Sequence, residues 1–246
     1  MISAHEFLNG KERYCLWLEN ENIDVLKSIP YIKERVLELY EIRMKSSRPQ
    51  LASIPHLFAQ ITQPKNKDFI LVPAHSSENR EYIPIGFFNS ENISHNSCLI
   101  ISTNDFYLFS VITSKTHMCW VRYVGGKIKT DIRYSKDIVY NNFPFPPISN
   151  QRKEELTQCT FRILEEREKH PEKTLAQLYD PDKMPEGLKE AHRLNDEAVE
   201  RCYRSTPFNS DEERLEYLFK LYEKMIQEVK EKGTLFEAEK KTRKRK

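Results

Sequence analysis

The stretch Asn142-Phe143-Pro144-Phe145-Pro146-Pro147-Ile148-Ser149-Asn150 places three prolines within four positions. Proline has no amide donor and a fixed φ, so neither a helix nor a central strand passes through such a stretch. The chain must fold as two segments joined by a stiff strap. The two segments also differ in texture. Residues 1–148 are rich in β-branched and aromatic runs, whereas residues 149–246 are rich in Glu, Lys, Arg and Leu at helical spacing. This predicts an α+β protein: a mainly antiparallel, strand-rich domain over 1–148, then a helical domain over 149–246 with a basic tail.

In the first segment, Arg13–Leu18 predicts a short strand. A helix should follow, capped by Ser28 with Pro30 in its first turn and Ile32, Val36, Leu39, Tyr40 and Arg43 along one face. Strands are expected at 69–73, 82–88, 98–101 and 106–112, separated by polar turns such as Asn89–Asn92. In the second segment, Gln151–Lys169 places Leu156, Cys159, Ile163 and Leu164 on one face. Pro185 opens a second helix carrying Leu188, Ala191, His192, Asn195, Ala198, Val199 and Cys202. Ser210 with Glu213 predicts a capping box for a third, whose stripe runs from Leu215 to Val229. No internal repeat is visible.

Only six glycines occur among 246 residues, and none forms a G-x-G-x-x-G turn or a phosphate-binding loop. A Rossmann-like cofactor pocket needs glycines where backbone approaches the ligand, which disfavours that class of enzyme. No stretch approaches 18 apolar residues, so no membrane span is expected. The start, Met1-Ile2-Ser3-Ala4-His5-Glu6, lacks the basic and apolar regions of a secretory signal. Five widely spaced cysteines fit reduced thiols and a cytoplasmic location better than a disulfide framework.

Catalytic motifs are sparse. His117-x-Cys119 lacks a second pair at zinc spacing and reads as a packed histidine beside a core cysteine. Glu165–Lys169 reads as a solvated helix face. Asn142-Phe143-Pro144-Phe145 resembles a blurred Asn-Pro-Pro-Phe methyltransferase motif, with the wrong second residue, and reads as the strap itself. The terminal Lys240–Lys246 holds six basic residues in seven and reads as a solvated tail, with a non-specific phosphate contact as the functional alternative.

The chain carries a formal charge of only +2, yet Val111–Lys136 holds Lys115, Arg122, Lys127, Lys129, Arg133 and Lys136 against the single acid Asp131. Trp120, Tyr123 and Tyr134 are interleaved with them. Basic residues alternating with aromatics on a strand-and-loop scaffold suit a nucleic-acid groove. Gly125-Gly126 predicts a hairpin turn between 121–124 and 127–130. Strand alternation would then place Lys127, Lys129, Asp131 and Arg133 on one face and Ile128 and Ile132 on the other, with Lys129 and Asp131 about 6.5–7 Å apart. So placed, the lysine can donate to guanine O6 or N7 while the carboxylate accepts from cytosine N4, which reads one G·C pair. A plain surface ion pair is the simpler alternative.

Several strings in the chain resemble the target-recognition region of the type IIL restriction–modification enzymes, the MmeI class. They are Phe7–Leu18, Val72–Pro84, Thr113–Arg122, Arg133-Tyr134-Ser135 and Ile138–Pro144. Leu175–Pro185 is similar to the family's C-terminal helical part. The resemblance covers nearly the whole chain. It implies the specificity part of a single polypeptide that also carries a nuclease and an adenine-N6 methyltransferase. This chain would then be a fragment of a longer gene product, or one cut at Met1, without catalysis of its own. S-adenosylmethionine and Mg would belong to the parent enzyme, with no cofactor in this chain. The partners implied are double-stranded DNA and the upstream methyltransferase and nuclease domains.

The resemblance also implies base-reading positions. Ala74 and Asn96 match one pair of readers. Ala74 has no hydrogen-bonding side chain, so Asn96 or a methyl contact must act there. Ser97 and Arg133 match a second pair. Lys129 and Asp131 match a third, which reads the base pair just beyond the methylated adenine. Lys115, Arg122, Lys127 and Lys136 are the expected phosphate contacts. The alternatives are a self-contained metal-dependent nuclease or hydrolase, and an RNA- or protein-binding adaptor docking through its helical half.

Overall fold

The computed structural model describes residues 1–19 and 21–243, with side chains described through residue 231. The fold is α+β. The chain opens with α1 (Ala4–Asn9), capped by Ser3 in a reciprocal capping box with Glu6. Residues 13–18 form no strand, contrary to the expectation from their apolar run. Trp17 instead packs its ring against Phe58 at 5.4 Å. Next come α2 (Ile23–Ser28) and α3 (Pro30–Met44). Pro30 opens α3 as expected, but Ser28 is the last residue of α2, and its hydroxyl donates to Val25 O. The expected face of α3 is only half formed. Ile32, Val36 and Arg43 are half-buried, whereas Leu39 and Tyr40 stay exposed. Arg43 closes the turn beyond α3 by donating to the carbonyls of Leu51, Ile54 and Leu57.

Strands β1 (Phe69–Pro73), β2 (His75–Ser76), β3 (Gly86–Phe88) and β4 (Cys98–Ile101) follow. β1 is the centre of an antiparallel sheet in the order β3-β1-β4, and all five of its residues are buried. The expected strand over 82–88 is trimmed to its last three residues, because Pro84 has no amide to offer a ladder. Gly86 is required in β3, since a Cβ there would meet the Phe7 ring at 2.9 Å.

The largest departure lies between 106 and 124. The expected strand 106–112 is α4 (Phe106–Ile112), and residues 115–124 form α5 (Lys115–Val124), capped by the Ser114 hydroxyl. Four consecutive residues of α4 and six of α5 are buried. Phe106–Ile112 is apolar but for Ser110, and over so short an apolar run pattern alone does not separate a helix from a strand. After α5 come β5 (Gly126–Ile128) and β6 (Asp131–Arg133), then a π-helical turn at Lys136–Tyr140.

The strap then leads into α6 (Asn150–Glu168), α7 (Leu175–Leu178), α8 (Glu186–Tyr203) and α9 (Asp211–Arg243). The apolar faces of α6 and α8 bury the expected residues except Leu164 and Cys202, which are half-buried. Ser210 accepts from Glu213 N as expected, but the Glu213 carboxylate reaches the amide of Asn209 rather than that of the cap. On α9, Leu218 is buried while Val229 is 65% exposed, so the stripe loses its cover toward the end. Residues 244–246 of the basic tail, and the side chains of 240–243, lie outside the described residues.

One core runs through both segments, from Ile70 and Val72 through Phe109 and Trp120 to Leu156, Val199 and Leu218. Polar groups on α8 stitch it together. Ser110 on α4 donates its hydroxyl to Asn195, which returns its amide to Ser110 O at 3.0 Å. Asp196 accepts from the Tyr82 hydroxyl and from the first amide of α5, Lys115 N, both at 2.7 Å. His192 stacks on Tyr82 and bonds the Tyr179 hydroxyl, which also accepts from Arg167.

Burial pushes the Asp196 carboxyl up to about 7, against the pull of those two donors. The folded state therefore holds this proton more tightly than the unfolded chain, whose carboxyl titrates near 3.8. The resulting stability is complete below the unfolded value and is lost as pH rises through about 7. Asp196→Asn keeps the hydrogen-bonding shape without the charge. Its melting temperature should match wild type near pH 4 and exceed it at pH 8, by a difference worth a few kcal/mol. Calorimetric melts of both proteins across that range measure the gap, and a gap constant with pH would refute the assignment.

Candidate nucleic-acid interface

The two small sheets meet at Ala74. Its amide donates to Ser97 O and its carbonyl accepts from Tyr134 N, both at 2.9 Å. On one side of it, β1 ends in register with β4, with Pro73 opposite Cys98. On the other, His75 and Ser76 of β2 pair with Arg133 and Ile132 of β6. β6 is the centre of the second antiparallel sheet, in the order β2-β6-β5. Ala74, Asn96, Ser97 and Arg133, distant in sequence, are thus brought to one seam. Asn96 is exposed and lines a groove of about 630 Å³ with Lys136, Tyr134 and Tyr140. The Ser97 hydroxyl is already engaged, accepting from Ala4 N at 3.0 Å and meeting His95 Nδ1 at 3.1 Å.

The hairpin exists, but its turn lies four residues later than Gly125-Gly126. Residues 121–124 are the last turn of α5, and Ile128 pairs directly with Asp131, which leaves Lys129-Thr130 as a two-residue loop. Lys129 has φ +57°. Positive φ at the first loop position alone is the pattern of a type II′ turn, which matches strand twist and favours glycine there. Lys129 therefore sits in the turn at the hairpin tip and Asp131 just after it, rather than both sharing one face of a continuous strand. The faces change accordingly. Directly paired residues share a face, so Ile128 joins Asp131 and Arg133, whereas Lys127 joins Ile132. Asp131 and Arg133 are exposed and Ile132 between them is 4% exposed, so the alternation within β6 is as expected.

The other members of the basic island separate. Lys136 opens the π-helical turn and faces the groove. The Arg122 guanidinium donates to the carbonyls of Arg80 and Glu81 at 2.8 and 3.0 Å, holding the loop after β2. Lys115 stands at the opposite end of α5 from the hairpin and lines a cavity of about 530 Å³ beside Glu81, Asp196 and Glu200. Of the interleaved aromatics, only Tyr123 is exposed. Trp120 is buried and donates to Val139 O, and the buried Tyr134 hydroxyl meets His117 Nε2 at 2.9 Å. Burial drives His117 down to about 3, so it is a neutral core residue, and Cys119 donates to Asp211 O. Asn142 donates to Asp137 O and Ile138 O, which ties the strap to the π-helical turn.

The electrostatics of the seam set it apart. Among the described residues, no ion pair involves any side chain between 66 and 151, whereas α6, α8 and α9 are laced with them. Lys127, Lys129, Asp131, Arg133 and Lys136 have side chains without a hydrogen bond or ion pair. Arg80, which the basic-island pattern missed, is half-buried near this group. Burial lowers its pKa against the charges of Asp180 and Asp131, and its Nε has no hydrogen-bond partner. Charged groups so arranged are available to a ligand with alternating phosphates and base edges.

Comparisons with known proteins show the family and the fold. Residues 1–147 match the family described as MmeI, target recognition domain, and residues 148–230 match MmeI, C-terminal domain. The chain is 43% identical over 229 residues to DNA methyltransferase A of Bacillus subtilis (strain 168), covering 92% of this chain and 26% of that protein. It superposes with a TM-score of 0.88 and 37% identity on the type IIL restriction–modification enzyme MmeI solved in complex with DNA, covering 92% of this chain and 30% of the other. The chain therefore spans between a quarter and a third of the length of these relatives.

A lysine with positive φ carries strain of about 1–2 kcal/mol that glycine does not. Lys129→Gly should therefore be at least as stable as wild type, whereas Lys127→Gly, in β5, should be less stable by about 0.5–1 kcal/mol. Urea denaturation of the two variants compares them. Equal losses would mean that the turn is not where it is placed here.

Proposed function

Because the chain belongs to the MmeI family, we propose that it reads duplex DNA as the target-recognition part of a type IIL restriction–modification enzyme. The observation that carries this is the convergence of Ala74, Asn96, Ser97, Arg133, Lys129 and Asp131 on one seam and its hairpin, with the charged members left unpaired. Base edges are read in a groove by side chains whose donors and acceptors face outward. Arg133 and Asp131 do so from one face of β6, and Lys129 from the hairpin tip. Lys129 donates to guanine O6 or N7 and Asp131 accepts from cytosine N4 of the same pair. Lys127 and Lys136 contact phosphates. Arg122 serves that contact indirectly, by holding the loop at 80–81.

The chain supplies specificity, and the chemistry belongs to the rest of the parent polypeptide. Among the described residues, no group of three His, Cys, Asp or Glu is placed to hold a metal ion. No glycine stands in a phosphate-cradling loop. On this reading S-adenosylmethionine and Mg act in the parent polypeptide, and no step is assigned to them here. No helix among the described residues is long and apolar enough to cross a membrane.

Two outcomes follow for DNA binding. Affinity should fall steeply with salt, and Lys127→Ala or Lys136→Ala should each weaken binding to all duplexes and reduce the salt slope by about 1. Lys115→Ala and Arg122→Ala should leave that slope unchanged, given where their side chains stand. Fluorescence anisotropy across a salt series distinguishes the two sets. Specificity gives a sharper test. In the parent enzyme, Lys129→Glu with Asp131→Arg exchanges donor and acceptor and should switch the base after the methylated adenine from G to C. Either single change should discriminate worse, by about 1–3 kcal/mol. Methylation mapped across a genome reads the result, and a site that keeps G in the double variant removes Lys129 and Asp131 from that role.

A further inference from the structure

We propose that His75 is a further specificity-determining residue, contacting a base edge one step from the pair assigned to Arg133. The inference rests on the DNA-recognition reading and adds a residue to it. β2 is only two residues long, yet its orientation is fully determined. Ala74 is held by backbone bonds on both sides, and Ser76 is 4% exposed opposite buried Ile132. Strand alternation then turns His75 outward, where it is exposed.

His75 is the direct cross-strand partner of Arg133. Directly opposed residues share a face, with Cβ atoms about 4.5–5.5 Å apart. The exposed face of the second sheet is thus a row of His75, Arg133 and Gly126, with Asp131 further along β6. Gly126 settles which way Arg133 leans. A Cβ built at Gly126 would meet Arg133 Cβ and Cδ at 3.8 Å, so the arginine stem lies over β5. His75 stands on the opposite flank and reaches a different position along the groove. The chain has seven histidines, and five of them engage other side chains: His5, His95, His117, His170 and His192. His75 has no such partner although it sits among the proposed readers. An imidazole can donate through one ring nitrogen to N7 or O6 of a purine, which is the contact assigned here.

The experiment selects duplexes bound by the full 246-residue chain from a randomised library, for wild type, His75→Ala and His75→Gln. Wild type should enrich a defined motif. His75→Ala should enrich the same motif with one position relaxed, losing roughly ten- to hundredfold discrimination there. His75→Gln, which keeps a donor, should retain more preference at that position than alanine. Thermal melts accompany each variant. If His75→Ala melts low, His75→Leu, which keeps bulk but has no donor, takes its place and should relax the same position. An unchanged motif in both variants would overturn the assignment, and so would a uniform loss across all sequences, which marks a phosphate contact. If wild type enriches no motif, the recognition reading itself fails and His75 falls with it.

Discussion

Asp196 sits inside the protein with the Tyr82 hydroxyl on one oxygen and the Lys115 amide on the other. A buried carboxyl is tolerated only where its hydrogen bonds are satisfied. Meeting that requirement fixes three elements at once: α8, the segment between β2 and β3, and the first turn of α5. Ser110 and Asn195 fix α4 in the same way, and Arg167, Tyr179 and His192 extend the network to α6 and α7. α5 leads directly into the β5–β6 hairpin. The helical half of the chain is thus the platform that aims the proposed reading surface.

The surface itself follows the opposite rule. In α6, α8 and α9, cations and anions neutralise each other over single helical turns. At the seam they do not, and strain is accepted at Lys129 where glycine would sit more easily. Unpaired charge and backbone strain lower stability and persist where a ligand or a geometry requires them. A lysine at a hairpin tip projects beyond the strands, which suits a contact deep in a groove. Keeping the hydroxyl of Ser97 and the guanidinium of Arg122 occupied within the protein does the reverse. It ties the surface around the proposed readers to the rest of the fold.

Much of this was legible in the residues. The strap followed from its prolines, and α6, α8, α9 and the buried faces of the first two followed from spacing that repeats every 3.6 residues. The basic island and the resemblance of its strings pointed to DNA and to Lys129, Asp131 and Arg133. The structure departs from the pattern at 13–18 and on α3, where apolar residues stay exposed, and most of all between 106 and 124. Phe106–Ile112 is an apolar run broken only by Ser110, and it and Val121–Val124 read as strands although both lie in helices. That mistake moved the turn to Gly125-Gly126 and put Lys127 and Ile128 on the wrong faces.

Sequence by itself determined the composition of the surface: which residues carry charge, where helices must stop, and that no glycine-rich cofactor loop is present. Only the tertiary structure decided which of those charges stand together. Lys115 and Lys127 are close in sequence, yet the length of α5 separates them. Ala74, Ser97 and Arg133 are remote in sequence, yet backbone hydrogen bonds at a sheet junction unite them. The reason is physical. Periodicity reports burial along one element, whereas strand register and the direction of a side chain are set by bonds between elements, which no local pattern encodes.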